Sequence, residues 1–325
     1  LLLLKNRLML AFDADPTGGY RDLLLNLRCG ATGHIAEVQI TLRPLLAVKT
    51  FGGHAAYALA RVHHLNDPEI FRHEGALSTR VLTALRAGLI RELKCNGVVE
   101  LARHQSGLFD ACRSPTCLLD CLVLAGCDWP ADQPMTALLE AVQAVGPQLK
   151  ELRASSMGAT DGRLPPSFFE RSPNLQLLLL RDVGLNGPLP ESLGALTHAR
   201  CIRLWGNRLS GSIPTTIGRC AALQDLQLYD NALTGPIPEA LGECTALHRL
   251  DLHNNRLSGS IPPGLGRCVA LQDLQLYNNE LTGSIPDALV ACTALVRMCV
   301  ANNPGLSGVV PAALRHAVEA KGARN

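Results

Sequence analysis

The sequence predicts an α/β fold: a solenoid whose short parallel strands form a concave sheet, preceded by a small α+β domain. Three observations predict it. Residues 223–246, 247–270 and 271–294 are consecutive 24-residue blocks that align without a gap. Each block repeats L-x-x-L-x-L-x-x-N-x-L, in which alternating leucines point inward on a strand and an asparagine follows where the chain turns. Before residue 119 this period is absent, and a hairpin and amphipathic helices take its place.

Composition narrows the class. With 325 residues and 47% hydrophobic side chains, the chain is long enough for two ordinary cores or for one core plus a repeat array. The net charge is +2, and basic residues exceed acidic ones by only 14 to 10 before residue 119 and fall short by 16 to 18 from there on. Neither half has the concentrated positive charge of a nucleic-acid-binding surface. No apolar run approaches the roughly 18 residues of a membrane span, since Lys5 and Arg7 interrupt the opening leucines. The first residue is Leu rather than Met, so the chain is expected to be a fragment. The Asn-rich repeats hold no Asn-x-Ser/Thr site, which favours a cytoplasmic location.

Residues 1–97 are expected to form a partial α+β domain. Its hairpin runs from residue 20 to 29, turns at 30–33 through Gly30-Ala31-Thr32-Gly33, and returns over 34–42. Alternation places Leu23, Leu25 and Leu27 with Val38, Ile40 and Leu42 on one face and polar residues on the other. Helical spacing follows over 54–65 and 75–93, with Val81, Leu82, Leu85, Leu89 and Leu93 on one stripe and Asn96-Gly97 as a stop. Residues 98–118 are expected to connect and cap the first repeat.

Gly-Tyr-Arg-Asp at 19–22, Glu-Val-Gln-Ile at 37–40 and Gly-His-Ala-Ala-Tyr at 53–57 resemble motifs of the RelA/SpoT-type nucleotidyltransferase domain over residues 5–61. That resemblance implies pyrophosphate transfer from ATP to a guanosine nucleotide with Mg. In it Tyr20 stacks on the guanine, Glu37 serves the metal and the acceptor hydroxyl, and Gln39 supports Glu37. Two features depart from the family. Its metal-binding aspartate belongs to a strand upstream of residue 1, and Leu24 stands where the family has histidine. Without paired carboxylates to hold Mg against the phosphates, such catalysis lacks its electrostatic basis, so a non-catalytic remnant is expected.

Residues 119–325 form the array. The 24-residue frame extends back to Ala199 and Leu175 and forward to Leu295, and loosens into a 26-residue block from Leu149 and a 30-residue block from Leu119, eight repeats in all. Asn207, Asn231, Asn255, Asn279 and Asn303 share one phase and are expected to bond turn backbone that no neighbouring strand reaches. Val183 takes that place in its block, an expected weak point. Gly-x-Ile-Pro follows at 211–214, 235–238, 259–262 and 283–286, with Leu or Val for Ile at 187–190 and 308–311. Gly there frees a backbone angle, and Pro ends strand pairing. With this L-x-G-x-I-P segment, residues 149–314 resemble plant-type leucine-rich repeats. The block from Leu119, with an amphipathic helix over 134–145, looks more like a helical-type repeat, so the resemblance covers 119–314.

Stacked units bury what one block cannot, and eight strands ~4.8 Å apart give a concave face of roughly 35–40 Å. One exposed column there reads Arg181, Trp205, Tyr229, His253, Tyr277. Beside it lie Asp182, Gly206, Asp230, Asn254 and Asn278 on one side and Leu179, Arg203, Gln227, Asp251 and Gln275 on the other, with Cys201, Asp225, Arg249, Asp273 and Arg297 further out. Three of the chain's six Trp and Tyr residues fall in one column, either as interface anchors or as a solvated face copied by duplication. The expected function is a non-enzymatic protein–protein interaction scaffold that holds a protein or peptide partner through Arg203, Trp205, Gln227, Tyr229, Asp251, His253, Gln275 and Tyr277. The alternative is a RelA/SpoT-type nucleotide pyrophosphotransferase with regulatory repeats. No cofactor or metal is expected outside that alternative. Cys220, Cys244, Cys268 and Cys292 recur at one phase and read as buried thiols, while Cys112, Cys117, Cys121 and Cys127 lack the paired spacing of a structural zinc site.

Overall fold

The computed structural model describes residues 22–28, 35–42, 79–88, 90–96, 101–127, 134–157 and 162–317. The two leucines of L-x-L are fully buried in the central repeats, as at Leu226 and Leu228 or Leu250 and Leu252, so the residues between and beside them alternate to the other face of a short strand. These strands join laterally in one 11-stranded sheet: Asp22–Arg28, Ile35–Leu42, Ile90–Asn96, Cys121–Ala125, Glu151–Ser155, Leu177–Arg181, Cys201–Arg203, Asp225–Gln227, Arg249–Asp251, Asp273–Gln275 and Arg297–Cys299. The first three pair antiparallel, and every later pairing is parallel.

The hairpin forms as expected, with Leu25 opposite Val38 and Leu23 opposite Ile40. The expected helix over 75–93 does not. The helix is Thr79–Arg86, Gly88 turns the chain at φ +69°, and Ile90–Asn96 is a strand parallel to Cys121–Ala125. Apolar spacing at Leu85, Leu89 and Leu93 satisfies a helix, but Ile90 and Leu93 are fully buried and enter the same core as the repeats. The parallel ladder therefore starts one strand before the periodicity read from Leu119. Ile90, Leu93, Cys95 and Val98 repeat the spacing of Leu119, Leu122, Leu124 and Cys127, 29 residues earlier, a signal present but unread. Residues 98–118, expected as a connector, hold the helix Leu101–Cys112, whose Leu108, Ala111 and Cys112 are buried in that core.

The opposite wall changes along the chain. Early units carry the helices Leu101–Cys112 and Met135–Val142; the fully buried, edge-to-face pair Phe168 and Phe169 (5.2 Å, 79°) marks the transition. From there each unit carries a five-residue 3-10 turn: Glu191–Ala195, Thr215–Arg219, Glu239–Glu243, Pro263–Arg267 and Asp287–Ala291. Pro190, Pro214, Pro238, Pro262 and Pro286 each precede one of these turns with extended backbone, so strand pairing stops there. Gly242 lets adjacent turns touch, because a Cβ on it would stand 2.2 Å from the Gly264 carbonyl oxygen.

Sequence patterning did not reveal a second sheet. Gly162–Arg163, Leu185–Pro188, Arg208–Gly211, Ala232–Pro236, Arg256–Ser260, Glu280–Ser284 and Gly305–Ser307 pair parallel in seven strands. At the far end Ala312–Leu314 folds back, and the Met298 amide donates to the Ala317 carbonyl at 2.6 Å, closing the last strand's edge.

Candidate functional site

The concave face is held from beneath by the asparagine ladder. Asn255 donates Nδ2–H to the carbonyls of Leu228, Leu252 and His253 (3.0–3.2 Å) and accepts from the Leu233 amide at 3.0 Å. Asn231, Asn279 and Asn303 repeat this pattern one unit apart. Val183 makes no ladder bond through its side chain, and the ladder resumes at Asn207, whose Oδ1 accepts from the amides of both Val183 and Leu185.

The residue before each ladder position is left-handed: Ser156, Asp182, Asp230, Asn254, Asn278 and Asn302 lie at φ 50–55°, and Gly206 at 68°. Asn, Asp and Gly tolerate that region best, so this column is fixed by backbone conformation as well as by exposure. It carries its own side-chain ladder, in which Asn254 donates to Asp230 Oδ1 at 2.6 Å and Asn302 to Asn278 Oδ1 at 2.6 Å.

That bend sets the aromatic column. Trp205, Tyr229, His253 and Tyr277 stack face to face, with centroids 5.0, 4.4 and 4.3 Å apart and planes within 12°. Arg181 closes the upstream end, its guanidinium 5.1 Å from the Trp205 ring. Strand spacing in any sheet is ~4.8 Å, so rings at equal phase arrive at stacking distance without distortion. Their faces are covered by one another, and their edges look into the concavity. Burial, with the nearby Asp251 carboxylate second, raises the Tyr229 phenol above its ordinary pKa.

The next two columns form a polar network. Arg203 donates to Asp225 Oδ2 at 2.6 and 3.0 Å, and Gln227 donates to both oxygens of the same carboxylate. Arg249 donates to Asp251 at 3.0 Å, and His253 Nδ1 bonds the other Asp251 oxygen. Asp273 accepts from Gln275 and Arg297, both at 2.7 Å. Of the residues expected to meet a partner, Trp205, Tyr229, His253 and Tyr277 therefore form one continuous stack. Arg203, Gln227, Asp251 and Gln275 are bonded within the face, and Gln227 and Asp251 are buried. Periodicity located these residues but did not reveal which would be spent on one another.

Outside the solenoid face, Tyr20 lies beyond the described residues. Glu37 and Gln39 lie on one strand, opposite Asn96 and Lys94 of the next. Cys127 occupies the ladder phase of its unit and donates to the Ala125 carbonyl, and no cluster of potential metal ligands occurs among the described residues. Cys220, Cys244, Cys268 and Cys292 are buried and unpaired, each donating to a carbonyl of the preceding unit. Among the described residues no helix is long and apolar enough to cross a membrane.

Comparison with known proteins agrees with the repeat fold. The Leucine Rich Repeat family model matches residues 222–244, 246–268 and 270–292. No curated protein matches the chain. Among solved structures, the chain is similar to the Arabidopsis receptor kinase HAESA in complex with the peptide hormone IDA and the co-receptor SERK1, at TM-score 0.57 and 23% identity over 82% of this chain and 48% of that one. It is also similar to the ectodomain of the Arabidopsis thaliana receptor kinase GASSHO1/SCHENGEN3 in complex with CASPARIAN STRIP INTEGRITY FACTOR 2 (TM-score 0.47, 30% identity, 60% and 25% covered). A plant ice-binding protein gives TM-score 0.45 and 30% identity, with 49% and 51% covered. The chain spans about a quarter to a half of the length of these structures. Residues 222–292 are leucine-rich repeats, and the array to which they belong is a leucine-rich-repeat solenoid.

Proposed function

We propose that this chain is a non-enzymatic recognition module that holds a protein or peptide partner across the concave face, with Trp205, Tyr229, His253 and Tyr277 as its anchors. The carrying observation is the continuous ring stack, half-buried and rigid, which offers a partner a large amphipathic edge at little cost in side-chain entropy. The fold neighbour at TM-score 0.57 is described with a peptide hormone and a co-receptor, and a partner of the same kind is proposed here. Dodecapeptides selected from a random library on the intact chain test the reading. They are expected to bind at least tenfold more weakly to the Tyr229→Ala/Tyr277→Ala variant; unchanged affinity would overturn it.

In this reading the nucleotidyltransferase-like segment over 5–61 is a non-catalytic remnant, supported by Leu24 in place of the family histidine. Mg-dependent pyrophosphate transfer from ATP to a guanosine nucleotide, abolished by Glu37→Gln, would contradict that.

A further inference from the structure

Between the strands Cys201–Arg203 and Arg297–Cys299, the paired charges of the concave face are sorted by depth. Asp225, Asp251 and Asp273 are 18%, 3% and 6% exposed at their side chains, whereas Arg203, Arg249 and Arg297, which hold them, are 39%, 41% and 57% exposed. Three acids and three bases cancel in sequence, so formal charge gives no hint of a bias. The depth difference does: the anions lie under the guanidiniums, and an incoming molecule meets the cations first. A guanidinium has five N–H donors, and a carboxylate beneath it occupies one or two, so the outward donors remain available.

Arg203 is rooted on the strand Cys201–Arg203, Arg249 two strands on and Arg297 two further. Two strand spacings are ~9.6 Å, which an extended peptide crosses in about three residues. The aspartates, two of them buried, also fix the arginines before any partner arrives, reducing the ordering cost on binding. On the other side of the aromatic column the exposed acids are Asp182 and Asp230, with Asp230 Oδ1 accepting from Asn254. The arginines thus lie on one side of the rings, Arg203 in the nearer column and Arg249 and Arg297 in the further one, and two exposed acids lie on the other.

We infer that the partner is an extended acidic peptide segment whose carboxylates dock on Arg203, Arg249 and Arg297 while its chain lies against the ring edges. The inference rests on the concave-face reading above and narrows it to one charge class. The sorted charge also excludes a basic segment from the arginine lane, because its ammonium groups would meet guanidiniums before reaching a carboxylate.

Labelled decaglutamate, decaglutamine and decalysine, titrated into the intact chain and followed by fluorescence anisotropy, test it. Decaglutamate is expected to bind at least tenfold more tightly than the other two, to weaken as salt rises from about 50 to 300 mM, and to lose at least tenfold in Arg249→Gln/Arg297→Gln. Because that double variant strips Asp273 of both arginines, Arg297→Gln alone, which leaves Arg249 and Gln275 on Asp273, is run beside it with its melting temperature; a threefold or larger loss of affinity without a change in melting is expected. Equal binding of all three peptides, preference for decalysine, or indifference to the arginine substitutions overturns the acidic-partner inference. The library-selected peptides separate the two claims. If they lose affinity in Tyr229→Ala/Tyr277→Ala yet carry no excess of Asp and Glu, the inference fails and the concave-face reading stands; if they ignore both the tyrosine and the arginine substitutions, both fail.

Discussion

The imidazole of His253 lies 4.3 Å from the ring of Tyr277, with the planes 11° apart, and 4.4 Å from Tyr229 on its other face. A histidine held between two phenols, its Nδ1 bonded to a buried aspartate, is a structural centre as well as a surface residue. The stack therefore has two separable roles, and stability measurements isolate the first. His253→Ala is expected to lower unfolding stability by about 1–2 kcal/mol, and a double-mutant cycle with Tyr277→Ala to give a coupling of about 1 kcal/mol, measured by urea denaturation. A coupling near zero would mean that the rings stack without stabilising one another.

The asparagine ladder is expected to be the costliest surface-proximal feature to break. Asn255→Ala orphans the Leu233 amide in a buried turn and takes one of two hydrogen bonds from each of the Leu228, Leu252 and His253 carbonyls, and should cost about 2 kcal/mol. Asn302→Gly, at the exposed end of the neighbouring side-chain ladder, keeps the left-handed backbone (φ 54°) and should cost under about 1 kcal/mol. Paired urea titrations of the two variants check the contrast.

Glycine packing on the convex wall yields a positional prediction. Gly242→Ala places a methyl 2.2 Å from the Gly264 carbonyl, so the stacked turns must separate; a loss of about 2 kcal/mol or more is expected. Val290 occupies the equivalent place one unit before the end, is 39% exposed, and should tolerate Val290→Ala within about 0.5 kcal/mol. Thermal unfolding of both variants decides whether turn spacing limits stability.

The cysteine column makes stability depend on alkaline pH. Burial pushes the Cys220 thiol up to about 11 and those of Cys244 and Cys268 up to about 12, with neighbouring thiols adding to the last two. The folded state keeps protons that the unfolded state releases near pH 9. The contribution is therefore complete below about pH 9 and declines as pH rises toward 11–12, at up to about 1.4 kcal/mol per pH unit for each thiol. Urea midpoints measured from pH 8 to 11 should fall less steeply for Cys244→Ala/Cys268→Ala than for the parent chain.

Much of this was legible in the sequence for a physical reason: a solenoid repeats its environment, so a residue's phase states its burial. The 24-residue spacing of Trp205, Tyr229, His253 and Tyr277 was enough to put them in one column, because sheet geometry then dictates the stack. Phase does not state depth among polar residues. Gln227 and Asp251 share a column with Arg203, yet they are buried, each bonded to neighbours two residues along its own strand, while Arg203 reaches across to Asp225 and projects. Upstream the units lengthen to 29 and 30 residues, and Ile90 and Leu93 satisfied both a helical and a strand period. Only the pairing of Ile90–Asn96 with Cys121–Ala125 separates those readings.

Hydrogen–deuterium exchange of the intact chain with and without a library-selected peptide shows whether partners bind on the concave face. Protection is predicted at residues 203–205, 227–229, 251–253 and 275–277, where strand and ring column meet. Protection confined to the 3-10 turns from 191 to 291, with the concave strands exchanging as in the free chain, would contradict the account.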